Sequence, residues 1–89
     1  MTKNKAEALL ARITSDPDIF DGKPIIRGKR LAVEHVLTDL AAGETPESIL
    51  ENFPFLEAED IQACLLFASR QLGHSWKVPT PREPDAVLD

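Results

Sequence analysis

The apolar residues between positions 33 and 72 recur at helical spacing and are interrupted at only two places. The first stripe places apolar residues at i, i+3, i+4, i+7 and i+8. Its members are Val33, Val36, Leu37, Leu40 and Ala41. Gly43 follows at the position where a glycine commonly ends a helix. The chain is therefore predicted to be mainly helical here, with a first helix that ends just before Gly43.

Two further helices are predicted after this one. Thr45 and Pro46 are typical of a helix start, as N-cap and first helical residue, and Pro54 ends this helix. Its inner face consists of Ile49, Leu50 and Phe53. The last helix is predicted from about Glu57 to Leu72, with Gly73 after it. Its apolar positions are Ile61, Cys64, Leu65, Ala68 and Leu72, widened by Leu66 and Phe67. Because this helix is apolar on more than one side, we expect it to meet a second surface beyond its own core.

The segment before these helices has the composition of short strands and turns. It contains proline, glycine and aspartate among β-branched residues. We predict strands near 24–27 and 30–33, joined by a turn in which Gly28 supplies a positive φ. A short helix over 4–12 precedes them, with Asn4 as its N-cap. The prediction is a single, small three-helix helix-turn-helix domain over 1–72, winged-helix-like with an N-terminal β-hairpin, followed by an extended, proline-rich tail over 73–89.

The size of the predicted core favours self-association. Without the polar start and the tail, roughly 60 residues remain, and a domain of that size buries only ~60% of its unfolded surface. We therefore expect a homodimer. No apolar run is long enough to span a membrane and no secretory signal is evident, so a cytoplasmic location is expected. The single Cys64 excludes an internal disulfide and a multi-cysteine metal cage, and no cofactor or metal is predicted.

The charge pattern leaves two interpretations open. The net charge is −5, but the segment 23–33 contains four cations and no acid. These candidate contacts for nucleic acid or an acidic partner are Lys23, Arg27, Lys29 and Arg30. Alternatively, the cations keep an edge strand soluble, and Arg27 and Arg30 pair with Asp16, Asp18 or Asp21. The first turn of the last helix is acidic, so any DNA contact is expected from the hairpin and not from that helix.

The stretch from Ile13 to Ala68 resembles the family known as domain of unknown function 433. The resemblance is carried by Ile13, Asp16-Pro17, the run GKPIIRG over 22–28, RLAV over 30–33, LAAG over 40–43, Ile49-Leu50, Pro54, Leu56 and EDI over 59–61. It implies a compact helix-turn-helix-like fold and a role as a VapB-like antitoxin, often paired with a PIN-like ribonuclease toxin. Two residues depart from the family pattern: Lys29 replaces a usual Thr, and Glu57 replaces a capping Ser or Thr.

No spacing of nucleophiles, bases or metal ligands matches a catalytic motif, so an enzyme is not predicted. His35 is expected on the surface and Cys64 in the core. In the tail, Trp76, Val78 and Leu88 are candidate partner contacts, although Trp76 could instead pack on the last helix of its own chain or dimer. The predicted function is a dimeric antitoxin that binds a PIN-like toxin and its own promoter DNA. The alternative is an interaction or structural module that binds no DNA.

Overall fold

The computed structural model describes residues 2–73 of the chain. This part of the protein is mainly helical, with four helices and a small two-stranded antiparallel sheet. The helices are α1 Thr2–Leu10, α2 Val33–Ala41, α3 Pro46–Asn52 and α4 Ala58–Leu72. The strands are β1 Ile13–Thr14 and β2 Ile25–Ile26, with a short 3₁₀ turn over Phe20–Gly22 between them. The four helices predicted from the sequence are therefore confirmed, but α1 begins at Thr2, so Asn4 lies within the helix and is not its N-cap. The predicted tail lies outside the described residues from position 74 onward.

The strand pairing differs from the prediction. Strand β2 pairs with β1, so that Ile13 lies opposite Ile26 and Thr14 opposite Ile25. The strand predicted over 30–33 is reduced to one bridge between Ile25 and Ala32, because the chain already enters α2 at Val33. An antiparallel pair near the N-terminus is thus confirmed. The partner of β2, however, is β1, which precedes it in the chain, and not a strand that follows it.

The predicted turn after β2 is confirmed. The Lys29 N–H donates to the Ile26 carbonyl oxygen at 2.7 Å, and both central residues have positive φ, 45° at Arg27 and 70° at Gly28. Positive φ at both positions is typical of a type I′ turn, whose twist matches that of the flanking strands. Positive φ is uncommon for an arginine. It changes the direction of the Cα–Cβ bond of Arg27 relative to that of a residue with negative φ.

Local signals set the ends of α2 and α3 as predicted. The Gly43 N–H donates to Leu40 and the Glu44 N–H donates to Asp39, both at 3.0 Å, which is the Schellman pattern. Gly43 has φ 101°, a value that residues with a Cβ rarely adopt. At the start of α3, Thr45 accepts a hydrogen bond from the Ser48 N–H and donates its own N–H to the Ser48 hydroxyl.

The core lies between the sheet and α2, α3 and α4. Its buried members are Ile26, Leu31, Val33, Val36, Ile49, Leu56, Ile61 and Cys64. On α4 the predicted stripe is only partly correct: Ala63 is fully buried, whereas Leu65 and Leu72 are 51% and 68% exposed. The buried face of α4 also includes Asp60, and Leu65 lies about 100° around the helix from Cys64. Within residues 2–73, no helix combines the length and the apolarity that crossing a membrane requires.

Candidate functional site

The centre of the first polar site is Asp60, which is fully buried in the first turn of α4. Its Oδ1 accepts hydrogen bonds from Arg12 Nη1 at 2.9 Å and from Arg27 Nε at 3.0 Å. Its Oδ2 accepts from Arg27 Nη2 at 2.7 Å and from the Glu57 N–H at 2.8 Å. An ionised carboxylate has about four acceptor sites, so the hydrogen-bonding capacity of Asp60 is filled.

The two arginines make further contacts. Arg12 Nη1 also donates to Glu57 Oε1 at 2.7 Å, and Arg27 Nη2 also donates to the Phe55 carbonyl oxygen at 2.7 Å. We refer to Arg12, Arg27, Glu57 and Asp60 as the Asp60 cluster. The cluster joins three separate parts of the chain: the residues after α1, the turn after β2 and the start of α4. It therefore holds the N-terminal segment and the turn against the helical core.

The cluster keeps Asp60 ionised. Burial by itself would raise the pKa of Asp60, because the charged form loses its hydration. Hydrogen bonds from Arg27, from the Glu57 N–H and from Arg12 outweigh burial and hold the pKa below its ordinary value of 3.8. In return, the hydrogen bonds to Glu57 and Asp60 raise the pKa of Arg12, and the hydrogen bond to Asp60 raises the pKa of Arg27. All three groups are charged at neutral pH.

Backbone contacts explain how Arg27 reaches Asp60. The Arg27 N–H donates to the Arg12 carbonyl oxygen at 2.8 Å, and the Gly28 N–H donates to Thr14 Oγ1 at 2.9 Å. These bonds hold the turn in its positive-φ conformation beside α4. One of the two interpretations of the sequence paired Arg27 with an internal acid, but with Asp16, Asp18 or Asp21 and not with Asp60. The missed signal is an arginine directly before the glycine of a tight turn, together with an acid at the third position of a helix.

The structure separates the four predicted contact cations. Arg27 belongs to the Asp60 cluster, and Lys23 Nζ lies 3.0 Å from Glu34 Oε2 in an exposed pair. Lys29 and Arg30 are exposed, and across residues 2–73 neither has an acid within ion-pair distance. The structure thus leaves Lys29 and Arg30 exposed and uses the half-buried Arg27 in an internal ion pair.

Both of these exposed cations lie over aromatic rings. Arg30 Cζ is 5.9 Å from the centroid of Phe20, and Lys29 Nζ is 5.9 Å from the centroid of Phe55. Phe53 connects this surface, since its ring lies 6.2 Å from Phe55 and 5.6 Å, edge to face, from His35. We refer to these residues together as the aromatic face: Phe20, Lys29, Arg30, His35, Phe53 and Phe55. Sequence reasoning identified its cations and missed its aromatic residues.

An open groove of about 710 Å³ runs between the aromatic rings of this face. Phe20, Arg30, His35 and Phe53 are among the residues that line it. Rings, a guanidinium and an imidazole around one concave surface are suited to holding another chain, because such groups combine large contact area with directional polar contacts. The groove is therefore a candidate recognition surface.

The backbone at the edge of the groove is strained. Three consecutive residues have positive φ: Phe20 at 52°, Asp21 at 56° and Gly22 at 84°. The left-handed region costs each L-residue roughly 1–2 kcal/mol, and glycine much less. The strained turn is held by Ser15 Oγ, which donates to the Gly22 carbonyl oxygen at 2.9 Å. The result is a phenylalanine that remains 43% exposed, an arrangement that adds little to the core and that points to a role in binding.

The remaining polar predictions concern His35 and Cys64. His35 is on the surface as predicted, with Nε2 3.5 Å from Asp39 Oδ2. Cys64 is buried as predicted, and burial, with a smaller contribution from the charge of Asp60, raises the pKa of its thiol to about 12. Among the residues that the structure describes, no three His, Cys, Asp or Glu side chains converge as a metal site would require. Trp76, Val78 and Leu88 lie outside the described residues.

Comparison with known proteins places these residues in one family. The model of a family described as a protein of unknown function, DUF433, matches residues 13–68. The chain is also similar to "Uncharacterized protein y4eO" from Sinorhizobium fredii (strain NBRC 101917 / NGR234), with 43% identity over 56 residues. That match covers 63% of this chain and 25% of the relative, so the chain spans about a quarter of the curated protein that it matches. No solved structure matches the chain. The matched segment includes the whole aromatic face and three of the four residues of the Asp60 cluster, and the chain belongs to the DUF433 family.

Proposed function

We propose that this protein is a non-enzymatic binding module that acts as the antitoxin of a toxin–antitoxin pair and holds a PIN-like ribonuclease through its aromatic face. The observation that carries the proposal is the exposed Phe20, held at positive φ beneath Arg30 at the edge of an open groove. Aromatic residues and arginine are the residues most enriched where binding energy is concentrated. The identity of the toxin class comes from the family resemblance.

The overall charge supports such a partner. The chain carries a net charge of −5, and the acids Asp21, Glu34 and Asp39 line the groove of the aromatic face. A ribonuclease must present cations to RNA phosphates. An acidic protein is therefore attracted electrostatically to the RNA-binding surface of the ribonuclease, which it would cover. The scaffold in this proposal is a winged-helix-like helix-turn-helix of α2, α3 and α4, supported by the short links over 42–45 and 53–57 and by the preceding sheet.

The proposal is tested by measuring the affinity for a PIN-like ribonuclease encoded beside this protein, with calorimetry on purified chains. Phe20→Gly removes the ring but relieves the positive φ, so we expect it to change the stability of the free protein by less than about 1 kcal/mol. The same variant should weaken Kd by about 30-fold, since a residue at an energetic centre contributes about 2 kcal/mol or more.

Arg30→Ala is the second variant, and Arg70→Ala in the last turn of α4 is its matched control. Arg30→Ala should weaken binding at least tenfold, while Arg70→Ala should leave Kd within about twofold of the parent chain. If Phe20→Gly and Arg30→Ala both bind with the parent affinity, the aromatic face is not the binding surface. If the parent chain itself binds no such ribonuclease, the assignment to toxin–antitoxin pairs fails.

Promoter DNA is a second candidate ligand. It is favoured by Lys29 and Arg30, which are exposed and form no ion pair with the acids of residues 2–73. The double variant Lys29→Glu, Arg30→Glu should abolish retardation of the promoter fragment, and the parent chain should lose affinity steeply with added salt. Reversal of Arg27 is unsuitable as a test, because it would place a carboxylate against the buried Asp60 and damage the fold. Retained retardation in the double variant contradicts this assignment and favours a module that binds no DNA.

The proposed module is a homodimer. The exposed Leu65 on α4 gives the small domain apolar surface that the described residues leave uncovered. Sedimentation equilibrium at micromolar concentration should give a mass near twice 9.8 kDa. A mass of one chain across that range contradicts the dimer.

A further inference from the structure

A second groove lies between α2 and α4 and has a different character from the first. Its volume is about 330 Å³, and its walls are almost entirely apolar. They are formed by Pro24, Val33, Leu37, Phe67, Ala68 and Leu72. Glu34 is the one lining residue that the two grooves share, and none of the six residues of the aromatic face lines this second groove. Leu72 at its rim is 68% exposed.

The described chain ends directly at this groove. Helix α4 ends at Leu72, and Gly73, with φ 80° and ψ 167°, turns the backbone out of the helix. Trp76 follows three residues after Gly73, a separation that spans at most about 10 Å of extended chain. Val78 and Pro79 follow shortly after Trp76. The chain just beyond the groove therefore carries one large apolar side chain, that of Trp76, and then a smaller one, that of Val78.

The chemistry of the groove fits an indole. At ~30 Å³ for each water molecule in the liquid, a volume of 330 Å³ corresponds to about ten waters, enough room for one large ring. A tryptophan side chain buries about 150–250 Å² when it packs, and its N–H then needs an acceptor. Glu34 and Gln71 line the groove and carry side-chain oxygens that can accept that hydrogen bond. Apolar walls with a few polar atoms match the ring and its N–H.

We infer that the groove between α2 and α4 is a docking site for the 74–79 segment of the same chain, with the Trp76 side chain as its anchor. The segment would cover Leu72 and the apolar walls of the groove. This inference does not depend on the proposed function, because it concerns a different surface and an occupant from this chain.

Fluorescence of Trp76 tests the inference in the full chain. The protein has one tryptophan and no tyrosine, so its emission reports on this residue alone. We expect a blue-shifted emission maximum relative to the urea-unfolded chain and several-fold protection from quenching by acrylamide. Both should be independent of protein concentration, because the occupant belongs to the same chain.

Two matched pairs of variants locate the docking site. Leu72→Ala trims the rim of the groove, whereas Leu65→Ala makes the same change at an exposed position of α4 that does not line it. Ala68→Glu places a carboxylate in the wall, whereas Ser69→Glu places one on the neighbouring exposed residue. We expect Leu72→Ala and Ala68→Glu to lose most of the protection and both controls to keep it. Far-UV circular dichroism monitors the fold of every variant.

Three outcomes would overturn the inference. Emission from the parent chain that matches the unfolded chain shows that Trp76 does not dock. Protection that persists in both Leu72→Ala and Ala68→Glu places Trp76 on another surface. Protection that disappears on dilution shows that a second copy of the chain, and not the same copy, supplies the occupant.

Discussion

The substitution Asp60→Asn should destabilise the protein severely, although it changes almost nothing in the size of the side chain. The amide keeps one oxygen, but its NH₂ group replaces an oxygen that accepts two hydrogen bonds, whichever way it is turned. If the NH₂ group replaces Oδ2, it faces the donors Arg27 Nη2 and the Glu57 N–H. The NH₂ group is itself a donor, so neither Arg27 Nη2 nor the Glu57 N–H keeps an acceptor at this position. Arg12 and Arg27 also lose the negative charge of the carboxylate that balanced their positive charges.

The magnitude follows from the burial of the cluster. Removing one partner of a buried ion pair typically costs about 3–5 kcal/mol. Asp60 is fully buried, but the side chains of Arg12 and Arg27 are 27% and 30% exposed, so water can solvate part of their charge. We therefore expect a loss of about 3 kcal/mol, at the lower end of the range. This is a large share of the roughly 5–15 kcal/mol that stabilises a typical domain.

Urea denaturation followed by far-UV circular dichroism measures this loss. The matched control is Glu59→Gln, which removes an exposed acid from the same turn of α4 and should change stability by less than about 0.5 kcal/mol. The midpoint for Asp60→Asn should fall while the slope of the transition stays that of the parent. If Asp60→Asn unfolds within 0.5 kcal/mol of the parent chain, the cluster does not stabilise the fold as argued.

The pH dependence provides an independent test of the same cluster. The folded-state pKa of Asp60 is lowered, so its stabilising contribution is complete above the ordinary pKa of 3.8. That contribution is lost as pH falls through the lower folded-state pKa. The stability difference between the parent and Asp60→Asn should therefore be constant at neutral pH and shrink below about pH 4. A difference that stays constant down to pH 2 would contradict the ionised state of Asp60.

Three further results are expected. Cys64, with its pKa raised to about 12 by burial, should react with a thiol reagent at neutral pH only as fast as the protein unfolds, and rapid reaction in the native state would contradict this. Thr45→Ala should cost about 1 kcal/mol by urea titration, because it removes the acceptor for the Ser48 N–H, whereas Thr38→Ala on exposed α2 surface should cost much less. Arg27→Lys should cost about 1–2 kcal/mol, since an ammonium cannot reproduce the paired bonds to both oxygens of Asp60, and an unchanged midpoint would show that charge alone suffices.

The Asp60 cluster also changes how the family pattern is interpreted. The arginine and the acid of the matched segment, Arg27 and Asp60, form one ion pair across the core. A sequence that keeps both residues therefore keeps a structural connection between the turn and α4. The exposed Phe20, Lys29 and Arg30 lie outside that connection, so substitutions of their side chains should cost the fold little.

Local signals in the sequence determined the helices and several of their ends. Val33, Val36 and Leu37 define α2 by spacing, Gly43 ends it, and Thr45 begins α3, each through bonds within a few residues. Such interactions depend on neighbours along the chain, so they can be predicted without knowledge of the fold. The turn at Gly28 is only partly local: the glycine favours its positive φ, whereas bonds to Arg12 and Thr14 hold Arg27 at positive φ.

Only the tertiary structure decided which distant groups meet. Arg27 pairs with Asp60 and not with the nearer acids at 16, 18 and 21, because the packing of β2 beside α4 brings the guanidinium to that buried carboxylate. Ile13 replaces the 30–33 segment as the partner of β2 for a related reason: Val33 is already the first residue of α2. Spacing along a sequence states which side chains share a face of one element, whereas the approach of two elements depends on the packing of the whole core.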